Sequence, residues 1–481
     1  MNTEISNILF NFLPELTLAA TIIILNISDI KTGAAKGFVK WIVLAGFSAA
    51  IFAAAIQAYS APQFLFGGLW VNDHFSYGTK LIILSAGLLI FLTAGKKNTT
   101  KYSAMMLSAI GAISAVSSAN LAMMFVSLEV MSIPLLILLG GSIRTRLKYF
   151  VYSAVSSALM LFGISLLYGL GGSMDYTAIA KTISLGGVNT LTLAAAVIFI
   201  SGGIIFKAGL PLFNFSIPYA AKESAYSTIG YMLITSALAT LFTLARFYIT
   251  AFHDYNSFIL DANTYLFTES VNIKLLIAII SAAAVITGNF VILWQHDLKR
   301  ILVFFIISQS GLLSAALSAS SPEGTSALLY YSIVFVVNTG GLLYIFRWLE
   351  FTYGFTRLDD LRSLAVSSPF TAAALMIITA SAIGLPLTAG FTGRLICYSA
   401  LANSGLSWLA GLSIISSLPM LYFGFRLIRL LYAKSIVSAS IRTETLSTII
   451  LLLLMLITFA AGIFTATFYN WAKYCSILIL I

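Results

Sequence analysis

The sequence is poor in charged residues, cysteine and histidine. Of its 481 residues, 9% are charged and 60% are hydrophobic, whereas about 25% of the residues in soluble domains are charged. The two cysteines, Cys397 and Cys475, are too few for a metal cluster or a disulfide framework. The three histidines lack metal-ligand spacing. These shortages exclude a soluble enzyme and a disulfide-bonded domain, and they predict an all-α polytopic membrane protein.

Long apolar runs are abundant along the whole chain. About 20 consecutive apolar residues cross a bilayer core as a helix, and on this criterion hydropathy predicts fourteen transmembrane helices. The predicted spans are 8–27, 39–58, 76–94, 102–118, 120–140, 148–170, 189–211, 226–250, 272–293, 300–319, 325–347, 370–391, 407–429 and 446–468.

Basic residues are divided unequally between the two sets of loops. Loops that follow odd-numbered spans contain 19 of the 26 Lys and Arg residues, whereas even-numbered loops and the C-terminal segment contain four. Because basic loops stay in the cytoplasm, we expect a multi-pass plasma-membrane protein with both termini on the non-cytoplasmic side. Anchoring to the cytoplasmic face explains the net charge of +10, so no nucleic-acid partner is needed.

Charged residues inside apolar segments are candidates for a proton path. Glu129 is the one charged residue in the apolar run 119–140, and Lys207 and Arg394 have similar surroundings. A charge at the bilayer centre costs about 2.5–3.5 kcal/mol on insertion scales, so such residues are functional candidates. A lysine whose proton affinity changes with a nearby carboxylate is a proton switch, whereas arginine stays protonated. We therefore predict Glu129 as the coupling acid, Lys207 as the modulated base and Arg394 as a fixed charge that biases the exit.

Other interpretations of these charges stay open. Glu129 is alternatively a protonated, purely structural acid, and Lys207 a side chain that snorkels to an interface. Lys80 lies at the start of the third span, where snorkelling is at least as well supported as function. Gln309 is neutral, so it is able to orient water but not to carry charge.

The tetrapeptide Gly-Leu-Pro-Leu occurs twice, at 209–212 in span seven and at 384–387 in span twelve. The two copies lie five spans apart and so have opposite orientations, which is typical of transporters with inverted repeats. We therefore predict two inverted five-helix repeats, spans 4–8 (102–250) and spans 9–13 (272–429), within a single transmembrane domain (1–481).

Proline predicts a break in each of these two spans. Pro211 has no N–H, so the carbonyl of Lys207 loses its helical partner, and Pro386 does the same to Ala382. A free carbonyl at membrane depth needs water or a side-chain donor. We therefore predict discontinuous helices in spans seven and twelve, the alternative being that the prolines only kink the helices for packing.

Short motifs recur in a fixed order along the chain. They are Leu13-Pro-Glu-Leu16, Ser127-Leu-Glu-Val-Met-Ser-Ile-Pro134, Leu147-Lys-Tyr-Phe150, Gly163-Ile-Ser-Leu-Leu-Tyr-Gly169, Phe206-Lys207, Gly288-Asn289, Leu298-Lys-Arg300, Leu358-Asp-Asp-Leu-Arg362 and Gly384-Leu-Pro-Leu-Thr-Ala-Gly-Phe391. In this order, on fourteen spans, the chain resembles the subunit N family of proton-pumping NADH:quinone oxidoreductase (respiratory complex I), an antiporter-like membrane subunit. The resemblance implies proton translocation coupled to quinone reduction in other subunits. It also implies adjacent antiporter-like subunits, the lipid bilayer, protons and water as partners.

The resemblance assigns roles to individual residues. In the family a Glu in span five pairs with a Lys in span seven, which implies that Glu129 pairs with Lys207. The departures from the family pattern are Ala237 for the lysine of span eight, Arg394 for the lysine of span twelve, Gln309 for the histidine of span ten, and Asn214 for the histidine after the break in span seven. These changes put full pumping in doubt.

Two rival functions remain at the level of the sequence. The chain has no nucleotide-binding loop, flavin fingerprint or iron–sulfur cysteines, so we expect no cofactor and no redox chemistry in the chain itself. The first rival is a subunit of an Mrp-type cation/proton antiporter, which shares the fold. The second is a non-conducting structural spacer, which Ala237, Gln309 and Arg394 favour and which the presence of Glu129 with Lys207 opposes.

Overall fold

The fold is helical throughout most of its length. A computed structural model of the chain describes residues 2–32, 38–95, 98–185, 188–210, 217–252, 273–433 and 445–477. The helices up to residue 251 are α1 (Asn2–Asn11), α2 (Leu13–Thr32), α3 (Phe38–Gln57), α4 (His74–Leu92), α5 (Thr99–Val116), α6 (Leu121–Leu138), α7 (Ile143–Gly171), α8 (Tyr176–Ser184), α9 (Thr190–Lys207), α10 (Ile217–Glu223), α11 (Tyr226–Gly230) and α12 (Ser236–Ala251). A π-helical segment, Tyr231–Thr235, joins α11 to α12.

The remaining helices follow from residue 273 onward. They are α13 (Ile273–Val291), α14 (Leu298–Ser318), α15 (Pro322–Tyr353), α16 (Leu364–Ser367), α17 (Pro369–Ile383), α18 (Ala389–Asn403), α19 (Ser407–Ile415), α20 (Leu418–Tyr432), α21 (Thr445–Ile463) and α22 (Thr465–Ile477). Two short 3₁₀ helices, Ile292–Trp294 and Leu358–Leu361, connect members of this group.

Ten of the described helical segments are long and apolar enough to cross a membrane. The number rises to eleven if α21 and α22, which are bent by 82° at their junction, form one span. The other predicted spans fall on helices that are shorter, broken or richer in charged and hydroxyl side chains, namely α2, α5, and α17 with α18. A multi-pass helical fold is therefore present, and the total of fourteen spans stays a prediction.

Residues 1–216, 223–276 and 474–481 form the first of two compact units. Its continuous helical segment Tyr226–Ala251 is completely buried, because α4, α5, α8 and α9 pack around it. An antiparallel hairpin, β1 (Gln63–Leu65) and β2 (Trp70–Asn72), joins α3 to α4. The Val71 N–H donates to the Ser117 carbonyl over 2.9 Å, so the hairpin packs on the C-terminal end of α5. That end of the unit is called the hairpin end below.

The second unit comprises residues 217–222 and 277–473. Helices α14 and α15 form its centre, since nearly all of their residues are buried. Helices α17, α18 and α21 pack against α15. Each unit thus surrounds its central helices with helices that face outward, which suits a protein whose surroundings are apolar.

Glycines let the helices of the first unit approach closely. A Cβ added to Gly111 in α5 would lie 2.2 Å from the backbone nitrogen of Met131 in α6. A Cβ added to Gly203 in α9 would lie 2.7 Å from the carbonyl of Ser156 in α7, whose Oγ donates to the Gly203 carbonyl over 2.8 Å. These two contacts bring α6 close to α5 and α9 close to α7, near the level of Glu129.

Candidate functional site

Helix α9 ends at Lys207, within predicted span seven. Gly209 adopts a left-handed conformation (φ 74°), which glycine tolerates without strain. The Gly209 N–H donates to the Phe206 carbonyl, and the Leu210 N–H reaches back to the Ile205 carbonyl, a pattern that closes a helix. The exposed carbonyls at this end carry partial negative charge, which stabilises an ammonium in the last turn. The break at 208–210 therefore creates the position of Lys207.

The side chains of Glu129 and Lys207 meet in the first unit. Lys207 Nζ donates to Glu129 Oε1 over 3.0 Å. The lysine side chain is 2% exposed and the glutamate side chain 21%. Lys207 is thus buried instead of snorkelling to an interface. Glu129 is therefore the more exposed partner of the pair.

Two serines hold this ion pair in place. Ser132 Oγ accepts from Lys207 Nζ over 2.8 Å and lies 3.3 Å from Glu129 Oε2, so it bridges base and acid. Ser157 from α7 donates to Glu129 Oε1. Ser132 follows Glu129 by three residues, so the two share one face of α6. The sequence contains that signal for Ser132, whereas Ser157 comes from another helix and carries no comparable one.

The geometry allows proton transfer within the pair. Moving one proton from Nζ to Oε1 converts a carboxylate and an ammonium into a neutral acid and a neutral amine. Burial penalises isolated charges strongly, and it also penalises the ion pair unless hydrogen bonds compensate. The serines supply those hydrogen bonds. The balance between the charged and the neutral pair therefore responds to any charge that approaches.

The second unit contains the other broken span. Helix α17 ends at Ile383, Gly384 is left-handed (φ 89°), and α18 begins at Ala389. Arg394 Nη2 donates to the Ala382 carbonyl over 2.5 Å. This is the carbonyl that Pro386 deprives of its helical partner. The guanidinium therefore occupies the break that the sequence predicts in span twelve.

The remaining predicted site residues lie in different places. Gln309 is buried in α14, where its Oε1 accepts from the Tyr331 hydroxyl over 2.5 Å. Its Nε2 has no hydrogen-bond partner within the described part of the chain. Ala237 is fully buried in α12, two residues beyond the end of the π-helical segment. Asn214 lies outside the described residues.

Two basic residues have surroundings that the sequence did not indicate. Lys80 is fully buried and paired with Glu15, instead of snorkelling. Arg246, one of the four basic residues counted with the even-numbered loops and the C-terminal segment, lies buried within α12 instead and is paired with Asp73. The sequence signal for these groups was present, since each is a charge beside an apolar run, but their pairing was not visible.

We expect Arg394→Met to destabilise the second unit. The Ala382 carbonyl would lose its donor, and an unpaired buried carbonyl costs about 1–3 kcal/mol. The midpoint of thermal unfolding in detergent measures the loss. Arg362→Met is the control, because the pair of Arg362 with Asp359 is 53% and 54% exposed and such pairs contribute about 0–1 kcal/mol. Equal shifts in the two variants would contradict the role of Arg394 at the break.

Comparison with known proteins assigns the chain to a family. Residues 118–419 match the family model described as "NADH:quinone oxidoreductase/Mrp antiporter, TM". The chain belongs to this family. A relative within it, the NADH-quinone oxidoreductase subunit N of Chlorobium chlorochromatii, is 29% identical over 487 residues, which covers 96% of this chain and 94% of the relative. Membership makes this chain a multi-pass membrane protein.

Solved structures share the fold. A chain of respiratory complex I from Thermus thermophilus superimposes with a TM-score of 0.79 at 22% identity, covering 95% of this chain and 98% of that one. A chain of the Mrp complex from Dietzia sp. superimposes with a TM-score of 0.81 at 17% identity, with 97% of each chain covered. The fold of the NADH:quinone oxidoreductase/Mrp antiporter family thus extends over nearly the whole chain.

Proposed function

We propose that this chain is a membrane-arm subunit of an NADH:quinone oxidoreductase, or of a related enzyme with another electron donor. It translocates protons across the plasma membrane while quinone is reduced in other subunits. The observation that carries the proposal is the buried pair of Glu129 with Lys207 at a helix break. The name of the Chlorobium chlorochromatii relative supports the choice of enzyme. The number of protons translocated per electron by a Glu129→Gln variant tests it.

In this function Glu129 takes up the proton and Lys207 controls its release. A charge change in an adjacent antiporter-like subunit shifts the pair between its charged and neutral forms. A proton that crosses 100 mV requires about 2.3 kcal/mol, and the neighbouring subunits supply this energy through the chain of charges. The protein's partners are accordingly other membrane subunits, lipid, protons and water, and we propose that the chain holds no cofactor and no metal.

Arg394, Gln309 and Ala237 act differently from Glu129 and Lys207. Arg394 retains its charge at all physiological pH values, so it biases the exit electrostatically and does not carry the proton. Gln309 orients water through its amide. Neither Ala237 nor Asn214 supplies a titratable group. The proton path in this chain therefore depends more heavily on Glu129 and Lys207 than in a relative with lysines at the other positions.

We also propose the finer architecture: fourteen spans in one transmembrane domain, two inverted repeats at 102–250 and 272–429, and both termini outside the cytoplasm. The two breaks support the repeats. Gly209 and Gly384 each donate to the carbonyl three residues back, and the leucine after each glycine donates to the carbonyl five residues before it. The same backbone closure thus occurs at the same tetrapeptide in both units.

The family model and the Dietzia sp. fold also fit a cation/proton antiporter of the Mrp type. The two functions differ in their need for electrons. We expect vesicles that contain the assembled complex to show no sodium-dependent proton exchange when quinone and electron donor are both absent, because the coupling energy comes from quinone reduction. Sodium-driven acidification measured with a pH-sensitive dye under those conditions would favour the antiporter instead.

A further inference from the structure

Four charged side chains from separate segments meet at the hairpin end of the first unit. They are Glu15 in α2, Asp73 before α4, Lys80 in α4 and Arg246 in α12, and none is more than 7% exposed. The proposed function uses none of them. They form two ion pairs that differ in how completely their hydrogen bonds are satisfied.

In the pair of Asp73 with Arg246, every side-chain nitrogen and oxygen has a hydrogen-bond partner. Arg246 Nη1 and Nη2 donate to the two carboxylate oxygens over 3.0 and 2.6 Å. Nη2 also donates to Ser76 Oγ, and Nε donates to the Val116 carbonyl over 2.7 Å. Asp73 caps α4 by accepting from the Ser76 N–H. Since a bidentate guanidinium is geometrically fixed and always charged, this pair is a permanent clasp between α4, α5 and α12.

In the pair of Glu15 with Lys80, the carboxylate is incompletely hydrogen-bonded. Lys80 Nζ lies 2.9 Å from Glu15 Oε1 and donates to Asn72 Oδ1 over 3.1 Å. Oε2 of Glu15 is buried and has no hydrogen-bond partner in the described part of the chain. The Trp70 ring lies 5.0 Å from Nζ, a favourable contact for a cation. A buried carboxylate with an oxygen lacking a partner is costly, and this cost falls when the carboxyl group binds a proton.

We propose that Glu15 and Lys80 form a second proton-binding site in this chain, held next to the permanent clasp at the hairpin end. The inference rests on the proposed proton translocation. When the Nζ–H bond breaks and an Oε–H bond forms, the pair becomes neutral. When that proton leaves to water, a carboxylate with a neutral amine remains, and the next proton restores the ammonium. The charged groups facing Lys80 are Glu15 from α2, Asp73 at the start of α4 and Arg246 from α12.

The second site lies at a different depth from the pair of Glu129 with Lys207. Ser118 bridges to Trp70 of the hairpin, and α6 begins three residues later. Glu129 follows Leu121 by eight residues, which corresponds to about 12 Å along the helix axis. The hairpin follows the second predicted span, so the positive-inside pattern puts it on the non-cytoplasmic side. Glu15 and Lys80 thus lie nearer the non-cytoplasmic side than Glu129 and Lys207.

Lys80→Arg tests the site, because arginine keeps the cation and its pairing but does not release a proton. The experiment uses vesicles that contain the full complex with its electron donor and quinone. We expect Lys80→Arg to assemble in normal amounts and to lower the number of protons translocated per electron to the same extent as Glu129→Gln. A normal proton yield with normal assembly would overturn the inference. If Glu129→Gln lowers the yield while Lys80→Arg does not, the second site alone fails; if neither does, the proposed function fails.

If Lys80→Arg does not assemble, the double variant Glu15→Gln with Lys80→Met tests the second site instead. It removes both charges together, and a pair that is only structural is often replaced by neutral groups without loss of stability. Normal assembly with a lowered proton yield would support the second site. Normal assembly with a normal proton yield would overturn the proposed second site. Failure of both variants to assemble would also overturn it, because the pair would then have a structural role.

Discussion

We expect Glu129→Gln to abolish the contribution of this chain to the number of protons translocated per electron. The amide preserves the size of the side chain and its contacts with Ser132, Ser157 and Lys207, but it does not bind a proton. A positioned acid or base accelerates proton transfer by about 10²–10⁴, so transfer through the site slows by at least that order. Proton uptake during donor-driven turnover of the assembled complex in vesicles measures the loss.

Glu323→Gln is the matched control. Glu323 lies in the first turn of α15, where its exposed carboxylate accepts from Asn403 Nδ2 over 2.8 Å. This change removes one carboxylate without affecting either buried pair, so the proton yield stays at the wild-type value. An unchanged yield in Glu129→Gln as well would show that the chain is a structural spacer.

Gly390→Ala prevents α18 from packing on the end of α17. A Cβ at Gly390 would lie 1.6 Å from the Ser381 carbonyl oxygen. The backbone fixes the positions of both atoms, so no side-chain rotation relieves the clash. The Gly390 N–H also donates to Ser381 Oγ over 3.1 Å, and this hydrogen bond would be lost if α18 moved away from α17. Overpacking usually costs about 1–3 kcal/mol, and we expect the upper end of that range here. Thermal unfolding of the purified complex, together with the amount of chain in the membrane, measures the effect.

Gly411→Ala separates this clash from the general effect of a glycine substitution. A Cβ at Gly411 in α19 would meet no heavy atom within 4 Å. Alanine is more favourable than glycine inside a helix by about 0.5–1 kcal/mol, so this variant is expected to be as stable as the wild type or more so. Equal stability of both variants would show that the contact of Gly390 with Ser381 does not hold the break together.

Much of the fold was predictable because its signals are local. An apolar run of about 20 residues is itself the reason for a membrane helix, and left-handed glycine followed by leucine and proline is itself the reason for a break. The breaks at 208–210 and 384–388 accordingly lie where Pro211 and Pro386 predicted them. The count of fourteen spans stays a prediction, because polar or broken helices such as α5 and α17 weaken the hydropathy signal.

The partners of the charged groups were less accessible to sequence reasoning. Lys207 and Glu129 are 78 residues apart, and the resemblance alone suggested that they pair. Arg246 and Asp73 are 173 residues apart, and a charge near the end of a span is equally compatible with a solvated loop. Nothing local indicated that Ser157 contacts Glu129, that Arg394 donates to Ala382, or that Lys80 meets Glu15.

The amino-acid sequence by itself determined the membrane class, the positions of the helices and the two breaks, since hydropathy and proline act within a few residues of where they stand. Only the tertiary structure decided which buried charge meets which. Helix packing brings together side chains that are far apart in the chain, and the free energy of a buried charge depends on those neighbours and not on its own segment.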